Sequence, residues 1–478
     1  MHGSISAVRL AGLAGDFDRS PAYAGLADAL TLLIGDGRIG LGTRLPSERQ
    51  LTDALGVSRT TVTRAYAALR DAGYAEARVG AGTFTRVPGG RARAQDRALL
   101  PRRGDEEAID LNCAASSAPP GVAAAYAEAA AELPAYLGGH GYFPAGLPQL
   151  QQAIAATYDE RGLPTDPAQI MVTPGALSAV SIVARALTGP RDRVLVESPV
   201  YPNATEAVRH GGARIVAAHV DPDGWDLDAI GATLRQAAPR LAYLIPDFQN
   251  PTGHVMSAAQ REEYAGHLRR AGTVAVVDEA HQSLALDGQR MPRPFAAYAS
   301  STVTIGSASK RFWGGLRLGW IRAPHGTMER LTRARVSMDL GAPVMEQLVL
   351  ARLLADGDSV LEEHRTRLRE QRDVLAAAIR DQLPEWKFRL PGGGLTLWVE
   401  LPLPLGTTLA AEAERLGVII APGPVFAAEG GLNHFVRLPW TRPVDELEDA
   451  VTRLATAWSA VRDRQDAGSR GPGRVMVA

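Results

Sequence analysis

From about residue 110 onward the chain alternates short apolar runs with longer mixed stretches. The runs read QIMVTPG, RVLVESP, ARIVAAH, LAYLIPD, TVAVVDE, STVTIGS and RLGWIRA, most of them a helix-length apart. This spacing predicts an α/β domain: a mainly parallel, seven-stranded sheet with helices on both faces. In open sheets of that kind ligands sit beyond the carboxyl ends of the strands, so the residues closing each run are the candidates for chemistry.

Over 20–88 the period changes. In LGTRLPSERQLTDALGVSRTTVTRAYAALRDAGY, Val62, Ala65, Tyr66 and Leu69 recur at helical spacing and predict a buried stripe, leaving Arg59, Thr60, Thr63 and Arg64 outward. Ser58 can cap that helix, and Ser47 can cap the one before it through a Ser-x-x-Gln box with Gln50. Gly56 supplies the turn between them and Val57 plugs its corner. AEARVGAGTFTRV then alternates and turns through Gly80 and Gly82, which predicts a two-stranded wing. Hydroxyls and guanidinium groups at a helix start suit phosphates and guanine edges, although a merely solvated polar face has the same composition.

A length of 478 residues accommodates two or three domains. The pattern divides them into a head at 20–88, a connector at 89–108 mixing glycine, proline and charge, and a large domain at 109–465 whose smaller subdomain lies mostly at 360–465. The ends, 1–19 and 466–478, read as frayed. A net charge of −1 excludes a chain that is basic throughout, and the head itself carries eight arginines against six acids, a weak signal for nucleic acid. Cys113 has no internal partner and reads as a small buried hydrophobe in a reducing cytoplasm. No apolar run spans a bilayer and no basic-then-apolar leader opens the chain, so a soluble, cytoplasmic protein is expected. No metal-ligand spacing occurs.

The residues that close the apolar runs are chemically unusual. TPGALSAV is a glycine turn opening a helix, where free amides hold a phosphate, or simply a helix start. PDFQNPTG places Asn250 in a turn, for which asparagine before proline is also an ordinary choice. Asp278 is an acid ending an apolar strand, and a buried carboxylate needs a partner. Lys310, one of two lysines among 51 basic residues, follows Ser307 and Ser309, with Arg317 seven residues on. A lysine in an apolar, cation-flanked pocket has a lowered pKa and becomes an amine nucleophile; a structural salt bridge is the plainer alternative.

The head, LPSERQLTDALGVSRTTVTRAYAALRDAGY…VGAGTF, resembles the winged helix-turn-helix of the GntR family of bacterial regulators. That resemblance implies contact with double-stranded DNA by Arg49, Ser58, Arg59, Thr60, Thr61 and Gly80. SASKRFWGGLRLGW and its companions resemble the fold type I pyridoxal 5′-phosphate (PLP) enzymes of the aspartate aminotransferase superfamily. By that resemblance Lys310 forms the internal aldimine, which arginine cannot do because its guanidinium does not deprotonate. Ser307, Ser309, Arg317 and the amides of Gly175, Ala176 and Leu177 would hold the phosphate. Asp278 would pair with the pyridine nitrogen, Asn250 would donate to the phenolate oxygen, and Arg437, in HFVRLPW, would grip a substrate carboxylate. Tyr201 would stack on the ring, or serve as a core aromatic. Tyr142 would reach the phosphate of a second subunit, implying a homodimer. LPGGGLTLWVEL, 390–401, is similar to the segment opening a strand of the small domain.

One position departs from many relatives. His281, in VVDEAHQS, replaces their tyrosine, as in the β-lyase-like branch, and would still donate to the phenolate oxygen. The two halves together resemble the MocR subfamily of regulators, in which PLP or a small amino effector is sensed at the lysine and the heads bind an operator. A working aminotransferase or β-lyase acting on an amino acid is the alternative.

Overall fold

The structure, a computed structural model, describes residues 4–35, 38–78, 80–88, 108–357 and 359–469. They form two compact units, one running up to residue 88 and taking in Ala118–Ala131, the other comprising 108–117 and the chain from Glu132 onward. Of the connector predicted at 89–108, residues 89–107 lie outside the described residues.

The first unit contains helices α1 (Ala7–Ala14), α2 (Ala22–Gly35), α3 (Glu48–Leu55) and α4 (Arg59–Asp71). An antiparallel hairpin follows, β1 (Ala75–Arg78) with β2 (Gly82–Thr85). Helix α3 opens on the Ser47–Gln50 capping box and closes on Gly56 at φ 62°, where a Cβ would be penalised. Ser58 caps α4 by accepting from the Thr61 amide. The stripe Val62, Ala65, Tyr66 and Leu69 is buried against Leu26, Leu30 and Leu51, each large side chain contributing about 1.5–3 kcal/mol by leaving water. Tyr66 remains satisfied there because its hydroxyl donates to the Pro46 carbonyl at 2.9 Å. The frayed end predicted for 1–19 is corrected in part: Ser6 caps α1, and Leu10 is completely buried in the head's core.

The second unit begins with β3 (Ile109–Leu111). Its main sheet is built from β4 (Ile170–Thr173), β5 (Arg193–Ser198), β6 (Arg214–Asp221), β7 (Gly224–Trp225), β8 (Leu241–Leu244), β9 (Val274–Asp278), β10 (Val303–Ser307) and β11 (Gly319–Arg322). Their order is β4-β11-β10-β9-β8-β5-β6-β7. All seven apolar runs are strands. The eighth, β7, pairs antiparallel with β6 and is too short to show a period. Strand β11 runs antiparallel between β10 and β4, while β10, β9, β8, β5 and β6 are parallel. Alternate residues pack on opposite faces: Val196, Val276 and Ile305 lie against the helix Ala176–Leu187, and Leu195, Leu244 and Val277 against the helices Leu227–Ala237 and Ala258–Ala271.

A second sheet holds β12 (Thr396–Glu400), β13 (Val418–Pro422) and β14 (Phe435–Pro439) in the order β12-β14-β13-β3. Helices Ser359–Gln382, Gly406–Arg415 and Val444–Ser469 cover it. Strand β3 thus pairs in parallel with β13, about three hundred residues away in sequence, adding 109–111 to a subdomain predicted mostly at 360–465. The C-terminal helix continues to Ser469, so 466–469 are not frayed, and 470–478 lie outside the described residues.

Candidate cofactor site and DNA-facing helix

Three strand ends meet at one edge of the main sheet. Asp278 closes β9 beside Ile305, and Ser307 and Thr173 each pair with Gly319. Lys310 stands in the short helix Ala308–Arg311 that follows β10, and its Nζ donates to the Ala114 carbonyl at 2.7 Å. Burial pushes its pKa below the ordinary lysine value; repulsion from Arg437 and Arg317 adds to this against the pull of Cys113 and Asp278.

Asp278 accepts from the Tyr243 hydroxyl at 2.6 Å and from the Ala280 amide at 2.8 Å. Burial raises its pKa, and those two donors with Lys310 hold the rise in check. Sequence reasoning missed Tyr243. It faces Val276 across β8 and β9, hence lies on the same side as Asp278 two residues on, and its only signal was a polar tip inside a fully buried run.

Arg437 is buried, lies 4.7 Å from the Phe426 ring, and donates from Nη1 to Asn250 Oδ1 at 3.3 Å. Its Nη2 donates to the Asn112 carbonyl, while Nε has no partner among the described residues. The segment 112–114, delivered by β3, therefore contacts both Lys310 and Arg437, and no local pattern in the chain signals it. Cys113 belongs to this segment and is half-buried, which corrects its reading as a core hydrophobe.

Opposite Lys310 a cradle of backbone forms. A methyl built on Gly319 would stand 2.6 Å from the Ala176 nitrogen, which excludes a side chain there, and Gly175 takes φ 91°, where a side chain is strained. Arg317 takes the left-handed conformation at φ 49°. No side chain caps the helix Ala176–Leu187, which leaves its first amides and the positive end of its dipole available. Of the three amides predicted to serve, that of Gly175 is already donated to the Thr173 carbonyl at 2.8 Å, leaving Ala176 and Leu177. Ser307 and Ser309 are buried, and Ser309 Oγ has no partner among the described residues.

Tyr201 is half-buried against the sheet's core, its hydroxyl accepting from Asn203 Nδ2 at 3.0 Å. Tyr142 is 58% exposed and meets the His140 ring, so within one chain it does not join the site. His281 is buried with Nδ1 3.1 Å from the Phe248 carbonyl. A carbonyl only accepts, so Nδ1 carries the proton. Burial, reinforced by Lys310 and Arg437, lowers the ring's pKa to about 4, leaving Nε2 an acceptor near neutral pH. The expectation that His281 donates to a phenolate is corrected accordingly.

Glu197 is a further buried group that sequence reasoning passed over, an acid inside RVLVESP. It accepts from Trp225 Nε1 at 2.7 Å, Gln249 Nε2 at 3.1 Å and the Ile245 amide at 3.2 Å, and so braces the turn carrying Asn250. Burial nevertheless raises its pKa to about 7. The folded state then holds a proton that the unfolded chain has released, so stability falls as pH rises from the ordinary carboxyl value through 7, by about 3 kcal/mol. Glu197→Gln should flatten that slope in urea midpoints taken between pH 5 and pH 8; an unchanged slope would contradict the assignment.

On the head, Arg49, Ser58, Arg59, Thr60 and Gly80 are exposed and Thr61 is half-buried. Not every outward group is free. Thr63 donates to Glu48 Oε2 at 2.7 Å, and Arg64 lies 3.6 Å over the Tyr23 ring.

An uncapped helix start, an amine in the short helix after β10 and a carboxylate closing β9 sit in a large unit of fold type I, PLP-type architecture, here carried on a chain with a winged helix-turn-helix. Residues 113–454 match the family described as aminotransferase class I and II, and residues 22–85 match the bacterial regulatory proteins of the gntR family. The chain belongs to the aminotransferase class I and II family and carries a GntR domain ahead of it, the MocR arrangement. It is 32% identical over 300 residues to the 2-aminoadipate transaminase of Thermus thermophilus, covering 61% of this chain and 75% of that protein. It is 27% identical over 452 residues to the HTH-type transcriptional regulator YisV of Bacillus subtilis, covering 88% of this chain and 92% of that one. The crystal structure of LysN, the α-aminoadipate aminotransferase of Thermus thermophilus, superposes with a TM-score of 0.68 at 28% identity, covering 75% of this chain and 94% of that one. The family is PLP-dependent, and the side-chain-free cradle, the orphaned Ser309 hydroxyl and the half-buried amine fit that cofactor. No helix among the described residues is long and apolar enough to cross a membrane.

Proposed function

We propose that this protein is a PLP-dependent, DNA-binding transcriptional regulator, a cytoplasmic homodimer that senses the cofactor or a small amino compound at Lys310. One observation carries the reading: Lys310, Asp278, Asn250 and Arg437 converge on a chain whose α4 start keeps Ser58, Arg59 and Thr60 exposed. The division into a head at 20–88, a connector at 89–108 and a large domain at 109–465 belongs to the same proposal.

When bound, PLP supplies an aldehyde that amines attack and a ring that accepts electrons. Lys310 Nζ, with its pKa lowered by burial, would be the amine that takes the aldehyde. Asp278, oriented by Tyr243, would keep a proton at the ring nitrogen. Arg317, Ser307, Ser309 and the Ala176 and Leu177 amides would hold the phosphate, joined by Tyr142 of a second copy. Asn250 would donate to the ring oxygen, Tyr201 would stack on the ring, and Arg437 would hold a carboxylate through its fork of donors. A ligand that prefers one of two dimer arrangements shifts the spacing of the heads, and with it the operator half-sites they span.

Arg59, with a side chain 77% exposed at the start of α4, is the head's principal candidate for reading a base edge. Arg59→Ala should weaken binding to duplex from upstream of the protein's own gene by about 10–100-fold in a mobility-shift titration; undiminished binding would contradict it. A second reading, a working aminotransferase or β-lyase, is favoured by Arg437, which a sensor of cofactor alone does not require. Steady multiple turnover of an amino acid with a keto acid would establish that reading.

A further inference from the structure

A second recess, of about 320 Å³, is walled by Arg161, Gln282, Ser283, Arg311, Arg365 and Arg369. Its wall is built from the immediate neighbours of the groups already described. Arg311 follows Lys310, and Gln282 follows His281. Arg161 pairs from Nη1 with Glu279 Oε2 at 2.7 Å, and Glu279 follows Asp278. Arg365 and Arg369 stand one turn apart on the helix Ser359–Gln382.

Two of these guanidinium groups, those of Arg161 and Arg369, keep donors to spare. Arg161 Nε and Nη2 are buried without a hydrogen-bond partner among the described residues. Arg369 uses Nε on the Leu286 carbonyl at 2.6 Å, and Arg365 uses Nε on the Ser283 carbonyl at 3.1 Å, so each fork is fixed by backbone where it lines the recess. Three carboxylates oppose the four arginines: Glu279 inside the wall, and the exposed Glu160 and Glu362 at its rim. The local balance is positive, and fixed planar forks match carboxylate and phosphate oxygens two at a time.

We infer that this recess binds a small organic dianion, a dicarboxylate or a phosphate monoester, separately from the Lys310 site. Its volume is at the lower end for ligand pockets, which suits a compact molecule. Because its wall is continuous with Asp278, His281 and Lys310, occupancy bears directly on the backbone that positions them.

Calorimetric titration of the full-length protein with succinate, and separately with glycerol phosphate, at constant ionic strength distinguishes the two sources of the anion. One of them should bind at a single site. Arg369→Ala should weaken that binding about tenfold and Arg369→Glu about a hundredfold, both variants keeping the wild-type melting transition. Binding of neither anion would overturn the inference, as would binding that survives Arg369→Glu but is lost in Arg437→Leu, since the anion would then occupy the Lys310 site.

Discussion

Lys310→Ala, incubated with PLP and freed of excess by gel filtration, is expected to show no visible absorbance, whereas the wild-type protein is coloured. The loss should be complete rather than partial, because the chemistry needs an amine that can shed its proton and the position offers no substitute. The only other lysine, Lys387, is exposed and belongs to the small subdomain's surface. Lys310→Arg should be as colourless as the alanine variant, since a guanidinium keeps its proton at any workable pH. Both variants retain the cradle formed by Gly175, Gly319 and Arg317, so weak, phosphate-dependent, non-covalent binding, too weak to survive gel filtration, should persist in equilibrium dialysis. A coloured Lys310→Ala would contradict the assignment of the nucleophile.

Arg261→Met should destabilise the large unit by about 3–5 kcal/mol, read as a lower urea midpoint. Arg261 and Asp247 are both completely buried and paired at 2.6 Å. The same guanidinium donates to the Met256 carbonyl at 2.9 Å and to the Arg293 carbonyl at 3.0 Å, tying three segments together. Removing it leaves the buried Asp247 carboxylate without its hydrogen-bonded partner, next to the turn that carries Gln249 and Asn250. The double variant Arg261→Met, Asp247→Leu should recover a good part of the loss, because the larger penalty is the orphaned charge. A double variant no more stable than Arg261→Met would show that the carbonyl bonds, not the charge, hold the region.

How much of the molecule is legible in its sequence depends on the range of the interactions. The α4 stripe, the Ser47 and Ser58 caps and the seven apolar runs are local patterns, and all appear in the structure as read. Strand β7 is too short to have a pattern. Strand β3 pairs with residues some three hundred positions away, so neither it nor the segment that meets Lys310 and Arg437 could be read from periodicity. Tyr243 looked like an ordinary strand former until the β8–β9 register placed it on the Asp278 face. The unavailability of the Gly175 amide, and the proton on His281 Nδ1, depend on single carbonyls, those of Thr173 and Phe248, whose direction no residue type specifies.

The relation between the two halves also bears on how a regulator could retain an enzyme's site. Arg437 is anchored by Asn250, Asn112 and the Phe426 ring, and in the proposed function it would hold a carboxylate whether the ligand is converted or merely bound. The distinction lies in the fate of the captured ligand, and it is kinetic rather than architectural.

The most direct test is a mass map of the purified protein after incubation with PLP and reduction with borohydride, which fixes the cofactor to the amine that bound it. The peptide containing Lys310, and no other, should carry the phosphopyridoxyl group. Modification at Lys387 instead, or an unmodified chain, would contradict the assignment of Lys310 as the cofactor's amine.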